Sequence, residues 1–307
     1  MMFGLGLLSI AFGALSWKYV EAPFRNRSLV SRKIILKFSV TGLFVFASLG
    51  IYGHRSKGDL ERWDDSIVRH EILRSSASEF VWERKDLVRM SPFDEDKRKV
   101  LVIGDSNSGD LINALYLSEI SDSMTISSLM RNSGCGNLFL ESDTYAHFVE
   151  EQRRSICRAA DNLLSEEAKT LIEDADLVIF ASSWNDWELN LIEQSYKNLV
   201  ENFGEKFWFW GNKLIVFPSV KELYTSGKLS LQESYPIDPH SQKINENMAA
   251  ILGEKFIDPY RFFCSENQCR NMDDNGQILL YDGFHFTKAG AILFGEKLIR
   301  SHGSLFN

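Results

Sequence analysis

The sequence has no excess of basic residues, no metal-binding cysteine knuckle and no nucleotide-binding motif. Its 307 residues include 34 Lys and Arg against 42 Asp and Glu, a net charge of −8. This balance argues against a general nucleic-acid-binding protein, because such proteins present a basic face. No internal repeat or low-complexity tract is visible. With 44% hydrophobic and 25% charged residues, the chain can form one large domain plus accessory segments.

The cysteines are few, and none lies in a CxxC pair. Four are present, in two pairs of nearby positions. We predict disulfides between Cys135 and Cys157 and between Cys264 and Cys269, which require an oxidising compartment. The alternative is four unpaired, buried thiols in a cytosolic protein.

Two apolar runs lie near the N-terminus. The run from Met2 to Trp17 lacks the basic start and the small-residue cleavage site of a signal peptide, so we predict a membrane helix that continues to about Tyr19. The run from Ile34 to Tyr52 is interrupted only by Lys37 and is long enough to cross a bilayer. The sequence therefore predicts two membrane helices.

The connection between these runs is basic, with Arg25, Arg27, Arg32 and Lys33. By the positive-inside rule, it should face the cytoplasm. Two spans then place the remainder outside, in a bacterial periplasm that permits disulfides.

After a polar linker or helical extension from Arg55 to Arg98, strand and helix patterns alternate, which predicts a parallel sheet covered on both faces. The predicted strands are Val100–Ile103, Thr125–Leu129, Leu177–Ala181, Leu214–Phe217 and Lys255–Ile257. The predicted helices are Gly109–Ile120, Ser165–Asp174, Glu188–Asn202, Gln242–Leu252 and Lys288–Arg300. In such folds, ligands bind beyond the carboxyl ends of the strands.

Ser106 is the candidate nucleophile. The strand Val100–Ile103 is a continuous aliphatic run that ends at Gly104, and helical spacing begins soon after. Ser106 is therefore predicted at a strand-to-helix turn, where unpaired backbone N–H groups favour a developing oxyanion. Gly-Asp-Ser is also common in plain turns, so the partner residues must decide.

A serine nucleophile needs a base and a carboxylate that orients the base. His285 is the candidate base, and Asp282 precedes it by three residues. Thr287 is predicted to cap the last helix and so to fix this loop. Asp282 can then bind one ring nitrogen of His285 while the other faces Ser106. An Asp–His pair alone also occurs on ordinary surface loops, but the order Ser, Asp, His supports catalysis.

Two further segments follow predicted strands and offer oxyanion donors. Asn185 follows the third strand, and the segment Asn132-Ser-Gly-Cys-Gly-Asn137 follows the second. A glycine there can bring its N–H close to a reacting carbonyl. The alternatives are a turn or helix cap for Asn185 and a flexible turn for the glycines.

These four blocks resemble the SGNH, or GDSL-type, esterases and acyltransferases, and the resemblance covers about residue 99 to the C-terminus. It implies a flavodoxin-like three-layer α/β sandwich, with Ser106 as nucleophile, His285 as base and Asp282 as the residue that orients the base. The family's third block, Gly-x-Asn-Asp, reads Ser183-Trp-Asn-Asp186 here, so the local backbone differs.

The resemblance also implies an oxyanion hole formed by the Ser106 backbone, a glycine of the second block and Asn185. Of the two glycines in that block, we choose Gly134 over Gly136.

The N-terminal segment Trp17-Lys-Tyr-Val-Glu-Ala-Pro-Phe-Arg25 resembles the end of a membrane-bound acyltransferase family 3 domain. In bacterial enzymes that O-acetylate lipopolysaccharide O-antigen or other surface glycans, another membrane helix, a linker and a periplasmic SGNH domain follow. Only the tail of the membrane domain is present, so we expect a fragment or split partner, or cooperation with a separate acyltransferase family 3 membrane subunit. The resemblance implies no cofactor bound by the SGNH domain and an acetyl donor, ultimately acetyl-CoA, supplied through a membrane acyltransferase domain.

We therefore predict an O-acetyltransferase of the bacterial inner membrane that carries its catalytic domain in the periplasm. Its predicted partners are the bilayer and a surface glycan acceptor, with no nucleic acid. The predicted segments are the last helix of the truncated membrane domain (residues 1–25), a loop and membrane helix (26–53), a periplasmic linker (54–98) and the SGNH domain (99–307).

Two alternatives remain: a carbohydrate acetylesterase with the same triad, and a noncatalytic glycan-binding module. Trp184 and Trp187 flank Asn185 and favour sugar contact. The aromatic cluster Phe207–Trp210 fits packing between a helix and the next strand better than sugar binding.

Overall fold

The computed structural model describes residues 9–10, 12–22, 31–56, 65–140, 151, 157, 162–217 and 234–306. The chain divides into two compact units, Met1–Asp64 and Asp65–Asn307. Each unit is described by itself.

The first unit contains one helix that is long and apolar enough to cross a membrane, helix α1 (Arg32–Arg55). Its 24 residues span about 36 Å at 1.5 Å per residue, and its side chains are not buried within the protein. Of the two predicted membrane helices, the described residues thus contain only the second. The first falls partly outside the described residues, and its described part ends in a short π-helix, Trp17–Glu21.

The second unit is built on a five-stranded parallel sheet with the order β2-β1-β3-β4-β6. A small three-stranded antiparallel sheet has the order β5-β8-β7. The strands are β1 (Arg98–Gly104), β2 (Met124–Met130), β3 (Leu177–Ala181), β4 (Phe207–Trp210), β5 (Ser234–Pro236), β6 (Phe256–Ile257), β7 (Cys264–Ser265) and β8 (Gln268–Arg270).

Helices cover both faces of the large sheet, as the alternating pattern predicts. They are α2 (Asp65–Leu87), α3 (Ser106–Tyr116), α4 (Glu166–Asp174), α5 (Asp186–Leu189), α6 (Ile192–Phe203), α7 (Pro239–Leu252), α8 (Tyr260–Phe263) and α9 (Lys288–His302). Alternate residues of β1 point to opposite faces. Val100 and Val102 pack with α3 and α9, whereas Leu101 and Ile103 pack with α4, α6 and α7.

The predicted strand Leu214–Phe217 is wrong. The fourth strand of the large sheet is β4, the aromatic segment Phe207–Trp210, which pairs with β3. Aromatic side chains suit a strand that is covered on both faces, and the rings of Phe207, Phe209 and Trp210 are fully buried. Of the segment Leu214–Phe217, only Ile215 forms an isolated bridge, with Ile237.

Both predicted disulfides are confirmed. Cys135 and Cys157 are bonded with Cα atoms 5.3 Å apart, and Cys264 and Cys269 with Cα atoms 3.8 Å apart. The second bond closes the β7–β8 hairpin. The alternative of four free thiols is therefore wrong.

The polar segment before β1 forms helix α2, which packs on α3 in the second unit. At Gly109 of α3, an added Cβ would lie 2.4 Å from the carbonyl oxygen of Val81 in α2, so glycine permits this close approach. Asn113 of α3 also donates from Nδ2 to the carbonyl of Phe80, at 2.7 Å. These contacts place α2 directly behind the helix that begins at Ser106.

Candidate active site

Ser106 is the first residue of α3, immediately beyond β1. Gly104 ends strand β1. A Cβ added at this residue would lie 1.8 Å from the carbonyl oxygen of Ala181, so β1 and β3 can approach this closely only with glycine here. Asp105 caps the helix by accepting from the main-chain N–H of Asn107, at 2.9 Å. Close strand packing and a helix cap therefore fix the backbone on both sides of Ser106.

The structure brings Ser106, His285 and Asp282 together. His285 Nε2 lies 2.6 Å from Ser106 Oγ, and His285 Nδ1 lies 2.7 Å from Asp282 Oδ2. An imidazole between a hydroxyl and a carboxylate can take the hydroxyl proton while the carboxylate stabilises the resulting imidazolium. Residues 179 positions apart in sequence thus form the geometry that nucleophilic catalysis needs.

The loop that carries His285 is held by its own carboxylate. Asp282 Oδ1 accepts from the main-chain N–H groups of Phe284 (3.0 Å) and His285 (2.7 Å). Partial burial by itself would raise the pKa of Asp282, but its hydrogen bonds with His285 and the histidine charge outweigh that effect and hold the pKa below its usual value. Thr287 caps α9 by accepting from Gly290 N (3.1 Å), as predicted. Asp282 is therefore ionised and oriented toward the imidazole.

Rings enclose the imidazole on two sides. Tyr281 stacks on it with centroids 5.8 Å apart, and Phe284 meets it edge-on at 4.7 Å. These contacts limit rotation of the His285 ring, which keeps Nε2 directed at Ser106.

Asn185 lies at the N-terminus of α5, just beyond β3. Its Nδ2 donates to the carbonyl of Ser133 (2.9 Å) and to Glu188 Oε2 (2.8 Å). These bonds join the loop after β3 to the loop after β2. They also occupy both hydrogens of the amide, so an oxyanion at Ser106 must compete with Ser133 or Glu188 for one of them.

The two candidate glycines differ in their surroundings. The N–H of Gly134 donates to Asn132 Oδ1 at 3.0 Å within its own turn. Gly136 has a φ of +74°, and an added Cβ would lie 2.4 Å from the ring of Trp187. Position 136 therefore accepts only glycine, because any side chain would strain the backbone and clash with Trp187. The N–H of Gly134, in contrast, is already bonded within its own turn.

Ser183, where the third block departs from the family pattern, makes its own link to the nucleophile turn. Its N–H donates to Asp105 Oδ2 (2.9 Å), and its hydroxyl accepts from Asn107 Nδ2 (3.0 Å). The serine thus ties the end of β3 to the end of β1.

The two tryptophans predicted near a sugar site have different positions. Trp184 is buried, and its Nε1 donates to the carbonyl of Trp210 at 2.7 Å, so it is unavailable to a ligand. Trp187 is half-buried against Gly136. The packing interpretation of Phe207–Trp210 is consistent with its buried rings.

Buried charged residues that sequence reasoning missed surround the site. Lys85 of α2 donates to the carbonyls of Gly104 (2.9 Å) and Asp105 (2.5 Å). Lys213 pairs with Asp110, and Glu188 binds the loops after β2 and β3. Only Glu188 had a sequence signal, because Asn185-x-x-Glu188 fits a capping box. Among the described residues, no cluster of His, Cys, Asp or Glu could hold a metal ion.

Comparison with known proteins identifies a related family and fold. Residues 79–300 match the family described as the SGNH domain fused to AT3 domains. The fold is similar to that of the Salmonella ser. Paratyphi A lipopolysaccharide acetyltransferase periplasmic domain, with a TM-score of 0.52 and 17% identity over 80% of this chain and 99% of that chain. No curated protein matches the sequence. The family match does not extend to the segment that resembles the end of an acyltransferase family 3 domain.

Proposed function

The chain belongs to the family of SGNH domains fused to AT3 domains, and from this premise we propose that it is an O-acetyltransferase acting on a bacterial cell-surface polysaccharide. Lipopolysaccharide O-antigen is the expected acceptor. The observation that carries the proposal is the arrangement of His285 between Ser106 and Asp282, at 2.6 and 2.7 Å.

The first half-reaction forms an ester on the enzyme. Ser106 Oγ attacks the carbonyl carbon of the acetyl donor while His285 Nε2 takes the hydroxyl proton. The tetrahedral intermediate collapses as the bond to the leaving group breaks, and His285 returns the proton to that group. Acetyl-Ser106 and a neutral imidazole result.

The second half-reaction moves the acetyl group to the acceptor. His285 Nε2 takes the proton of a sugar hydroxyl as its oxygen attacks the acetyl carbonyl of acetyl-Ser106. Collapse breaks the ester bond to Ser106, whose oxygen recovers the proton from His285. If water replaces the sugar, the same steps release acetate, and the protein is a carbohydrate acetylesterase.

The oxyanion of each tetrahedral intermediate needs N–H donors on the face away from His285. We assign this role to the main-chain N–H of Ser106, to Asn185 and to the N–H of Gly134, which must leave Asn132 Oδ1 to serve the oxyanion. The Ser106 N–H is the first of helix α3, a position that has no acceptor within the helix. Asn185 contributes when the oxyanion displaces the carbonyl of Ser133, while Glu188 keeps the other amide hydrogen.

We place the catalytic domain in the periplasm. Arg32 and Lys33 lie at the N-terminal end of α1, and basic residues favour the cytoplasmic side of a membrane helix. The C-terminal end of α1 then faces the periplasm, where the two disulfides are stable. In this arrangement a membrane acyltransferase domain supplies acetyl groups derived from acetyl-CoA.

A transfer assay tests the proposal directly. The full chain in detergent is incubated with 4-nitrophenyl acetate, with and without O-antigen polysaccharide, and the polysaccharide is analysed for new O-acetyl groups. Acetylated polysaccharide supports the transferase. Release of acetate with no acetylated sugar identifies an esterase instead.

The matched control replaces the nucleophile. Ser106→Ala should abolish both acetyl transfer to polysaccharide and acetate release. It should also abolish the acetyl adduct on the protein, which intact-mass spectrometry detects in wild type. Retained turnover in this variant would remove Ser106 from the mechanism. A wild-type chain that binds polysaccharide but does not react with an active-site serine probe would indicate the glycan-binding module.

A further inference from the structure

Glu188 is a carboxylic acid buried between the loops that follow β2 and β3. Its side chain is 0% exposed. Oε1 accepts from the main-chain N–H of Asn137 (2.8 Å), and Oε2 accepts from the main-chain N–H (2.9 Å) and Nδ2 (2.8 Å) of Asn185. One carboxylate therefore binds three donors on two separate segments.

The ionised carboxylate satisfies these three donors best. An ionised carboxylate only accepts hydrogen bonds, whereas a carboxylic acid or an amide places one of its own hydrogens among the donors. Burial raises the pKa of Glu188 to about 7, although the hydrogen bonds from Asn137 and Asn185 oppose this effect. The carboxylate is therefore ionised above about pH 7, and the three N–H groups then stabilise its charge.

The segments that Glu188 joins are the ones assigned to the oxyanion hole. Asn185 is one proposed donor, and Asn137 ends the loop that contains Gly134 and Gly136. Asn137 Nδ2 also donates to Ser182 Oγ at 2.6 Å, which gives the same two loops a second connection.

The contacts continue to the nucleophile. Asp105, which precedes Ser106, accepts from the N–H of Ser183 at 2.9 Å. Two carboxylates, Asp105 and Glu188, therefore link the ends of β1, β2 and β3 into one hydrogen-bonded series. Glu188 contacts the loops that carry the donors, whereas His285 and Asp282 lie on a different loop.

We propose that Glu188 is a positioning residue that holds Asn185 and the second-block loop at the spacing the oxyanion requires. This inference rests on the proposed function for its catalytic consequence. Its structural content, the clamp between Asn137 and Asn185, is independent of that function.

The test compares Glu188→Gln with wild type in the full chain in detergent. Gln has nearly the same shape, but its Nε2 hydrogens face N–H donors. We expect kcat for 4-nitrophenyl acetate to fall about 100-fold, as expected for a displacement of about 1 Å near reacting atoms, while KM stays within about twofold. Glu193→Gln on the exposed surface of α6, which removes only an ion pair with Lys197, is the matched control and should retain wild-type kcat.

Amide hydrogen exchange supplies the readout that does not depend on turnover. Glu188→Gln should increase exchange at Asn137 and Asn185, with the helices and β1 unchanged. Unchanged kcat, or a global loss of exchange protection together with equal changes in kcat and KM, would overturn the proposal.

Failure of the proposed function has a different signature. A wild-type protein that does not turn over any acetyl ester contradicts the O-acetyltransferase assignment, and the exchange measurement then decides on the clamp alone. Wild-type turnover with unchanged exchange at Asn137 and Asn185 in Glu188→Gln refutes the clamp and leaves the function intact.

Discussion

Lys213 Nζ lies 2.9 Å from Asp110 Oδ2, and neither side chain is exposed to solvent. The lysine also donates to Asn107 Oδ1 and lies 4.3 Å from the ring centroid of Phe284. Asp110 Oδ1 accepts from the N–H of Phe286 at 3.2 Å. The buried pair therefore connects helix α3 to both neighbours of His285 and helps set the distance between Ser106 and His285.

Lys213→Met should destabilise the fold by about 3–5 kcal/mol, because it leaves the buried Asp110 without its partner. Burial already raises the pKa of Asp110 against the opposing effect of Lys213, so the aspartate is expected to take up a proton in this variant. Urea unfolding of the full chain measures the effect. Adding Asp110→Asn to Lys213→Met should restore much of the lost stability. If Lys213→Met alone is as stable as wild type, the prediction is wrong.

Asp282→Asn should lower kcat by on the order of 10³–10⁴ and leave the fold intact. The asparagine oxygen can still accept the loop N–H groups, but its amide donates to His285 Nδ1. That bond selects the tautomer whose hydrogen lies on Nε2, facing Ser106, so the base is lost. Ester hydrolysis and circular dichroism check both parts, with Asp274→Asn, at an exposed ion pair with Arg270, as the control. Near-normal kcat in Asp282→Asn would exclude Asp282 as the orienting residue.

Glu188 should make the free energy of unfolding fall as pH rises from about 4.5 to about 7. Burial raises its pKa from 4.5 to about 7, so in this window the folded state binds more protons than the unfolded state. The contribution is about 3 kcal/mol, fully present below pH 4.5 and lost above pH 7. Urea unfolding at a series of pH values measures the effect. The free energy of unfolding of wild type minus that of Glu188→Gln should decrease from about pH 4.5 to about pH 7, because glutamine does not titrate. A difference that is independent of pH would refute the raised pKa.

The two disulfides should differ in their contribution to stability. Cys135 and Cys157 are 22 positions apart, whereas Cys264 and Cys269 are 5 apart. Loop-closure entropy in the unfolded chain grows with loop length, giving about 3 kcal/mol for the longer loop and about 2 kcal/mol for the shorter. Paired Cys→Ser variants should therefore unfold at different urea concentrations, with the Cys135/Cys157 variant the less stable. The reverse order would show that native contacts, and not loop length, dominate.

Much of this arrangement was predictable because its signals are local. Continuous aliphatic runs predicted β1 and β3, and the break at Gly104 placed Ser106 at a strand-to-helix turn. The short spacing of Asp282 and His285 lets one loop hold both groups. The prediction failed where two adjacent segments both suited a strand: Leu214–Phe217 has the aliphatic pattern, but the aromatic segment Phe207–Trp210 pairs with β3 because it fills both faces of the sheet.

The sequence by itself determined the strand–helix order, the cysteine pairing and the candidate Ser106, His285 and Asp282. Only the tertiary structure decided which donors are already engaged at Asn185 and Gly134, and which buried charges support the site. Glu188 and Lys213 acquire their roles from contacts with residues on other strands and loops. The spacing of residues along the chain reveals helix and strand periodicity and pairs that are close in sequence. Hydrogen bonds between loops at the edge of a parallel sheet depend instead on strand register and on which strand ends lie side by side.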